Sequence, residues 1–498
     1  MEKIIKVGFF GCGNVGSGVW RLLNGFSREI AHRTGLRFSV KRVLVRDVTR
    51  KREIEFPDGV LTDRVEDVLD DPEISIVLEF LGGEEPAHAW VLEALNRGKT
   101  VVTANKVAFA LHWHELQKAA KASGAGLYYE AAVCGAIPII HTLEESLQAN
   151  RINRIYGIVN GTTNYILTRM SREGEAYETV LSDAQRLGLA EPDPASDVEG
   201  LDAAYKLSIL SSLAFHGRVP FENVYVEGIT KVQPEDIRCG QELGYTLKLL
   251  AIAKRDGLRV ETRVHPTFIR NDHPLANVSG AFNAVFLYGH ACGEMMFMGR
   301  GAGDLPTASA IVSDLVRAAS AQKHLYPTFE NELYPTVALE NNTDWSCAFY
   351  VRMLAQDRPG VLSKIAQTFA DHGVSIAAMQ QKGAQHDGRA AAAGVYLRRR
   401  NGHSDDADGA ERKSARDLYR GVHAEGSIGL YFPRDSQGTL SDLRFLSAGV
   451  DRTGLLLYGT RLCRNHAGLY GASVRRGTDA GKEAANVPDH EPPVVSRP

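Results

Sequence analysis

The chain has 498 residues, 44% of them hydrophobic, which is enough for about three domains with separate cores. A net charge of −3 and a pI near 6.6 exert no global pull on nucleic acid or anionic lipid, so a small-molecule partner is expected. Neither nucleic acid nor a membrane is.

Six cysteines (Cys12, Cys134, Cys239, Cys292, Cys347 and Cys463) stand singly, with no CxxC and no zinc-finger spacing. That excludes a disulfide framework and fits a reducing cytoplasm. Met1 to Lys6 enters a strand-like run at once, without the apolar stretch of a signal peptide, and no segment reaches the ~18 apolar residues that span a bilayer.

In chain order, Ile4 to Phe10, Phe38 to Val45, Ile74 to Phe80, Thr100 to Thr103 and Leu127 to Ala131 read as strands. Val15 to Ile30, Glu85 to Arg97 and Val107 to Ala122 read as helices between them. This α/β alternation predicts a Rossmann-type, doubly wound parallel sheet over residues 1–134. From 135 to 340, strands Ile152 to Val159, Val260 to Ile269 and Ala284 to Leu287 mix with a long helix, Asp197 to His216. The expectation there is an α+β catalytic and dimerisation domain. Ala348 to Leu354, Gly360 to His372 and Val374 to Gln380 then read as strand, helix and strand of a third unit, residues 345–383.

The most informative turn is Gly11-Cys12-Gly13-Asn14-Val15-Gly16, a GxGxxG that directly follows a strand and opens a helix. Gly11 permits the tight turn, Gly13 lets backbone approach a pyrophosphate, and Gly16 allows close helix–strand packing, while the helix start supplies free N–H donors. At the end of the second strand, Arg46 suits the 2′-phosphate of NADP, whereas the adjacent Asp47 would suit NAD. NADP is preferred, with NAD left open.

Thr103-Ala-Asn-Lys106 places Lys106 just past the fourth strand, facing the cofactor crevice of an open α/β sheet. The stretch Ala184 to Lys206 is dense in acids and turn formers, including Glu191, Asp197, Asp202 and Lys206. Ser196 and Glu199 form the pattern of a capping box, and Asp202 and Lys206 lie four apart on one helical face. An ammonium there can protonate or polarise the oxygen of a carbonyl under reduction. By spacing alone, an exposed Asp–Lys helix pair fits equally.

The Ala184 to Lys206 stretch resembles throughout the signature of homoserine dehydrogenases. Similar blocks are Thr103 to Lys106, Glu130 to Pro138, Asn160-Gly161-Thr162-Thr163-Asn164 and Gly299 to Thr307, together spanning roughly residues 3–340. The resemblance implies reduction of aspartate 4-semialdehyde to homoserine in threonine and methionine biosynthesis. Lys206 would be proton donor, Lys106 a second catalytic or cofactor-contacting lysine, and Asp202 the residue that orients substrate and Lys206. Glu191 and Asp197 would hold the substrate ammonium, with Gly161 and Thr162 also at the substrate, and Gly303 near the cofactor. It further implies a Na⁺ or K⁺ site on the backbone carbonyls of Glu130, Val133, Gly135 and Ile137, which Cys134 and Ala136 should tolerate. A homodimer or homotetramer is expected, and a bifunctional form with an aspartokinase-like domain is not. Two other readings remain: another amino-acid dehydrogenase on the same scaffold, and a non-catalytic amino-acid sensor.

Tyr350 to Leu362, with Asp357-Arg358-Pro359-Gly360, resembles the opening of an ACT module, the βαββαβ unit that binds amino acids. In this family threonine is the expected effector. After Gly383 the character changes: arginine outnumbers lysine fifteen to two, there is one isoleucine, and periodicity is lost. Residues 384–498 are therefore expected to be a frame-shifted, disordered tail on an incomplete ACT unit, in preference to a basic appendage for an acidic partner.

Overall fold

The computed structural model describes residues 3–322, 324, 326, 338–343, 347–355, 359–371, 374–381, 391–399 and 457–458. Strands β1 (Lys3–Phe10), β2 (Leu36–Leu44), β3 (Leu61–Thr62), β4 (Ile76–Glu79), β5 (Thr100–Thr103) and β6 (Leu127–Tyr128) form one parallel sheet in the order β3-β2-β1-β4-β5-β6. The residues of β4 and β5 are all buried, as expected of central parallel strands covered on both faces. Strand order reverses between β1 and β4, and the crevice outside their carboxyl ends is where such sheets bind ligands.

The helix Asp304–Ser320 returns from far along the chain to pack on the helix Asn14–Gly25. Its Ala308, Ile311 and Leu315 join Val7, Phe9 and Val19 in one apolar core. The expected boundary at 134/135 is therefore crossed by a returning helix. A helix buried this deeply belongs to the core it covers, whatever its place in the chain.

A second sheet contains β7 (Ile152–Ile158), β8 (Tyr225–Val226), β9 (Tyr245–Asp256), β10 (Arg259–Arg270), β11 (Phe282–Gly289), β12 (Gly293–Arg300) and β13 (Glu340–Asn341). Its order is β12-β11-β7-β9-β10-β13, with β8 also on β10. Its principal pairings, through β12, β11, β7, β9 and β10, are antiparallel. The third sheet comprises β14 (Phe349–Ala355), β15 (Val374–Gln381), β16 (Ala391–Arg399) and β17 (Leu457–Tyr458), ordered β15-β16-β14-β17. Arg352 and Tyr350 on β14 both bond to Asp236, at 2.7 and 3.2 Å, and so tie this sheet to the helix Pro234–Glu242.

Three expectations are corrected. The helix read as Val15 to Ile30 breaks at Phe26 into Asn14–Gly25 and Ser27–Thr34. The helix read as Asp197 to His216 is two, Ala195–Val198 and Leu201–Ala214, because Gly200 is left-handed at φ 85° and ends the first; the Ser196–Glu199 capping box does not form. Finally, β16 pairs with both β14 and β15 and carries the third sheet past residue 383. Apart from β16 and β17, the tail expected to be disordered lies outside the described residues. Among the described residues no helix is long and apolar enough to cross a membrane.

The contact between the two nucleotide-side helices is tight enough to test. A Cβ on Gly18 would stand 2.7 Å from the Asp304 carbonyl oxygen, so Gly18→Ala must push the helices apart. The expected loss is about 1–3 kcal/mol in urea unfolding. An unchanged midpoint would show that the helices yield without cost.

Candidate active site

At the carboxyl end of β1 the chain turns through Gly11, left-handed at φ 91°. A Cβ on Gly16 would approach the Phe80 ring to 3.0 Å, whereas one on Gly13 would meet nothing within 4 Å. Gly16 therefore serves packing, and Gly13 faces the open space a pyrophosphate would fill. Gly13 is also the N-cap of the helix begun by Asn14 and Val15, whose first N–H groups lie at the mouth of the crevice. The glycine arrangement fits a dinucleotide. Gly303, at φ 126°, likewise caps the helix Asp304–Ser320, and Asp304 pairs with Arg21 at 3.1 Å.

Arg46 is exposed, two residues beyond β2. The Asp47 carboxylate instead closes a local turn, accepting the Thr49 N–H at 2.8 Å and hydroxyl at 2.6 Å, and these bonds hold its pKa below the usual range.

The sheets converge on a buried ionic cluster. Asn105, two residues past β5, caps the helix Lys106–Ser123 by accepting the Val107 and Ala108 N–H groups, which sets Lys106 at the first helical position. Asn160 follows β7 and caps Gly161–Glu173 by accepting from Thr163 at 2.8 Å. Its Nδ2 donates to Asp197 at 2.7 Å and to Asp202 at 2.9 Å. Asp202 Oδ2 lies 2.7 Å from Lys206 Nζ, and Oδ1 lies 3.0 Å from Lys106 Nζ. Lys206 also donates to the Val159 carbonyl at 2.8 Å.

Burial alone would push the Asp202 carboxyl up. The Lys206 and Lys106 ammoniums and the bonds from Lys206 and Asn160 outweigh it and hold the group well below the carboxylate range. For Lys206 burial pushes down, but Asp202 holds its pKa above the usual lysine range. The cluster therefore carries a carboxylate between two ammoniums through neutrality.

Other expected site residues fall around this centre. Thr162 bonds its hydroxyl to the Leu189 carbonyl, tying the loop that bears Glu191 to the helix Gly161–Glu173. Gly161 packs so that a Cβ would stand 2.9 Å from the Ala281 carbonyl oxygen. Glu191 is exposed, its carboxylate making no hydrogen bond or ion pair with the cluster among the described residues.

Comparison with known proteins shows the family. The homoserine dehydrogenase model matches residues 138–316, the homoserine dehydrogenase NAD binding domain model residues 11–130, and the ACT domain model residues 349–413. The chain is 46% identical to the homoserine dehydrogenase of Bacillus subtilis over 376 residues, covering 75% of this chain and 87% of the relative. It is 44% identical to that of Mycobacterium leprae over 392 residues, 78% and 88% of the two chains. The chain belongs to the homoserine dehydrogenase family.

Among solved structures, the homoserine dehydrogenase of Thiobacillus denitrificans superposes with a TM-score of 0.72 at 42% identity, covering 79% of this chain and 91% of the other. A hyperthermophilic archaeal homoserine dehydrogenase solved in complex with NADPH gives 0.54 at 26% identity, covering 65% and 100%. The chain is thus an oxidoreductase with a nicotinamide-nucleotide domain and an ACT domain.

Three residues of the chain escape a reading of the sequence. Asn105 and Asn160 stand inside the family-like blocks, and the signal for them was an asparagine between a strand and a helix, the N-cap pattern. Glu79 ends β4 fully buried and accepts from the Leu81 N–H at 2.7 Å, the Thr103 hydroxyl and Asn105 Nδ2 at 3.5 Å. Burial raises its pKa. A lone carboxylate closing the apolar run Ile74 to Phe80 was its only mark.

In the turn expected to hold a monovalent cation, Glu130, Val133, Gly135 and Ile137 are buried while Ala136 and Pro138 are exposed, and Cys134 and Gly135 are left-handed at φ 57° and 52°. The Glu130 and Ile137 carbonyls accept the Val133 and Ile139 N–H groups at 3.3 and 2.8 Å, and each keeps a second lone pair. Neutral carbonyl oxygens fit a hard monovalent ion.

The cluster also predicts a stability effect. Asp202→Asn leaves two ammoniums facing each other with no anion between them, and breaking a buried pair costs about 3–5 kcal/mol. Because the folded Asp202 pKa is depressed, its contribution is present above the unfolded value near ~3.9 and is lost as pH falls through the folded one. Urea unfolding at pH 7 measures the loss. Equal stability of variant and wild type would show that the ammoniums do not depend on Asp202.

Proposed function

We propose that Lys206 donates the proton in the reduction of aspartate 4-semialdehyde to homoserine, with Lys106 as a second cation beside the reacting oxygen and Asp202 positioning both lysines. One observation carries this reading. An ammonium has three N–H donors, and Lys206 uses one on Asp202 and one on the Val159 carbonyl, leaving the third for substrate.

When bound, the nicotinamide supplies the hydride to the aldehyde carbon. Lys206, held charged by Asp202, faces an alkoxide that is a far stronger base than an amine, so proton transfer from its Nζ is downhill. Lys106 reaches Asp202 with one N–H and keeps the others for the same oxygen or for the cofactor. Asp197, joined to Asp202 through Asn160, is the anion for the substrate ammonium, and Glu191 is its second carboxylate. Gly161 and Thr162 begin a 13-residue helix whose N-terminus favours the substrate carboxylate.

NADP is the preferred cofactor: Arg46 is free of the local turn that occupies Asp47, and a relative is solved with NADPH. The crevice from Gly11 to Gly16 and the start of the Gly303-capped helix would hold it. Glu130, Val133, Gly135 and Ile137 would bind Na⁺ or K⁺ through their carbonyls and so brace the turn behind the cluster. The protein acts as a homodimer or homotetramer in the cytoplasm, consistent with free cysteines among the described residues. Threonine is the effector proposed for the ACT unit, at the turn where left-handed Gly360 (φ 88°) precedes the helix Val361–Asp371.

Oxidation of NADPH by aspartate semialdehyde, followed with and without threonine, tests the activity. Lys206→Ala should lower kcat about 10²-fold or more, the range of a positioned general acid. Near-normal turnover would remove Lys206 from the mechanism. Homoserine oxidation needs neutral Lys206, so its rate should climb with pH into the alkaline range, while the reductive rate declines only there, since Asp202 raises the Lys206 pKa. A profile flat in both directions would contradict the assignment. Arg46→Ala should raise the Kd for NADPH more than for NADH, and equal losses would show that Arg46 does not read the 2′-phosphate.

A further inference from the structure

Away from the ionic cluster, two histidines meet between helices of the nucleotide domain. His88 lies on the helix Ala87–Asn96 and His112 on the helix Lys106–Ser123, their rings stacked with centroids 3.7 Å apart and planes 16° from parallel. Three carboxylates surround the pair. Glu115, one turn beyond His112, places Oε2 at 2.9 Å from His88 Nε2 and 4.0 Å from His112 Nδ1. The other ring nitrogens face outward to acids of their own: His88 Nδ1 to Glu85 at 3.0 Å and His112 Nε2 to Glu84 at 2.8 Å.

We propose that His88 Nε2, His112 Nδ1 and a Glu115 carboxylate oxygen form a binding site for one divalent transition-metal ion of the zinc type. Three features carry the inference. The donor atoms already lie within 4.8 Å of one another. An ion about 2.0–2.1 Å from each ligand in a tetrahedral shell needs donors about 3.3–3.5 Å apart, and the 2.9 and 4.0 Å separations bracket that distance. The stacked rings hold their lone pairs in nearly parallel planes, so binding must turn both rings about their soft terminal torsion until the two planes meet at the ion.

The second feature is the outer acids. A histidine that binds metal almost always donates its remaining N–H to a carboxylate or carbonyl, which fixes the tautomer and raises the ligand's basicity. Both histidines have that partner on the nitrogen turned away from Glu115. The third feature is donor chemistry: two imidazoles and one carboxylate suit Zn²⁺, Co²⁺, Ni²⁺ or Cu²⁺ rather than Mg²⁺ or Ca²⁺, which take oxygen shells. Three protein ligands leave a fourth position for water.

The site lies where an ion would matter. Glu84 follows Gly83, whose carbonyl accepts Asn105 Nδ2 at 2.7 Å, and Asn105 caps the helix that begins with Lys106. A bound ion would join the helix Ala87–Asn96 to the helix Lys106–Ser123 and hold the Gly82–Glu85 loop against them. Its role is to brace this wall of the crevice; it takes no part in proton or hydride transfer.

The test is titration of the chelator-treated full chain with Zn²⁺ by calorimetry, alongside Co²⁺ absorption and thermal melting. The expected result is one saturable equivalent in the wild type, a tetrahedral Co²⁺ spectrum and a Zn²⁺-dependent rise in Tm. The double variant His88→Ala/His112→Ala should lose that equivalent, and Glu115→Gln, which keeps the side-chain shape, should weaken it at least about tenfold. Glu85→Gln should weaken it by about 10–100-fold, the usual effect of removing an outer partner. Metal-free turnover with NADPH should be the same in wild type and variants. Absence of saturable binding in the wild type, or an equivalent retained at unchanged affinity in both the double variant and Glu115→Gln, would overturn the proposal.

Discussion

A carboxylate shared by two ammoniums inside the protein is the constraint on which the rest of the site depends. Asp202 is 4% exposed and Lys206 8%, so neither charge has water to fall back on. Burying such ions costs several kcal/mol each, and only close pairing with filled lone pairs repays it. Asp202 meets that condition: one oxygen takes Lys106, the other takes Lys206 and the Asn160 amide. The pair needs three chain segments in register, the ends of β5 and β7 and the helix Leu201–Ala214. The fold can be understood as the means of bringing those segments together.

Two asparagines do much of that work, and in the same way. Asn105 and Asn160 each follow a strand, spend their side-chain oxygen on capping a helix, and spend their Nδ2 on a neighbouring element. An aspartate could cap equally well, but it has no donor for Gly83 or for the Asp197 and Asp202 carboxylates, and would add a third negative charge beside them. Serine could donate but is too short to do both. The choice of asparagine therefore follows from the second bond rather than from helix propensity. Glu79 extends the logic backward, since its buried oxygens hold the Thr103 hydroxyl and Asn105 from behind.

Local signals made part of this legible in the sequence. The strand, GxGxxG and helix order around Gly11 announced a dinucleotide crevice, because each glycine has a separate local reason to be there. Asp202 and Lys206 were visible as an i, i+4 pair, but spacing could not tell a buried pair from an exposed one; burial depends on β7 and β9, which lie far along the chain. The break at Gly200 was missed because Asp197 to His216 keeps a helical pattern across it, and only the packing of Val226 and Val264 against Gly200 shows why the chain must bend. The resemblance pairs Glu191 with Asp197 at the substrate ammonium, yet Glu191 stands exposed on a loop, while Asp197 reaches the cluster through Asn160. The continuation of the third sheet into β16 was hidden by the loss of periodicity after Gly383. Backbone pairing between β14 and β15 recruits that strand without needing an alternating pattern.

The returning helix Asp304–Ser320 settles how the nucleotide crevice and the ionic cluster can act as one site. Without it, a Rossmann unit and a separate sheet domain would be joined only by the loop around residues 130–150. With it, the first turn of a helix that follows β12 is clamped to Gly18 by a backbone contact and to Arg21 by an ion pair. Its far end reaches the turn after β6, where Asp314 accepts the Glu130 N–H at 2.9 Å and pairs with His141 at 2.6 Å. One rigid element thus fixes the mouth of the crevice and the turn behind the cluster. Hydride and proton transfer tolerate errors of only fractions of an ångström. A helix borrowed across the domain boundary supplies that registration at the cost of a core that neither segment could complete alone.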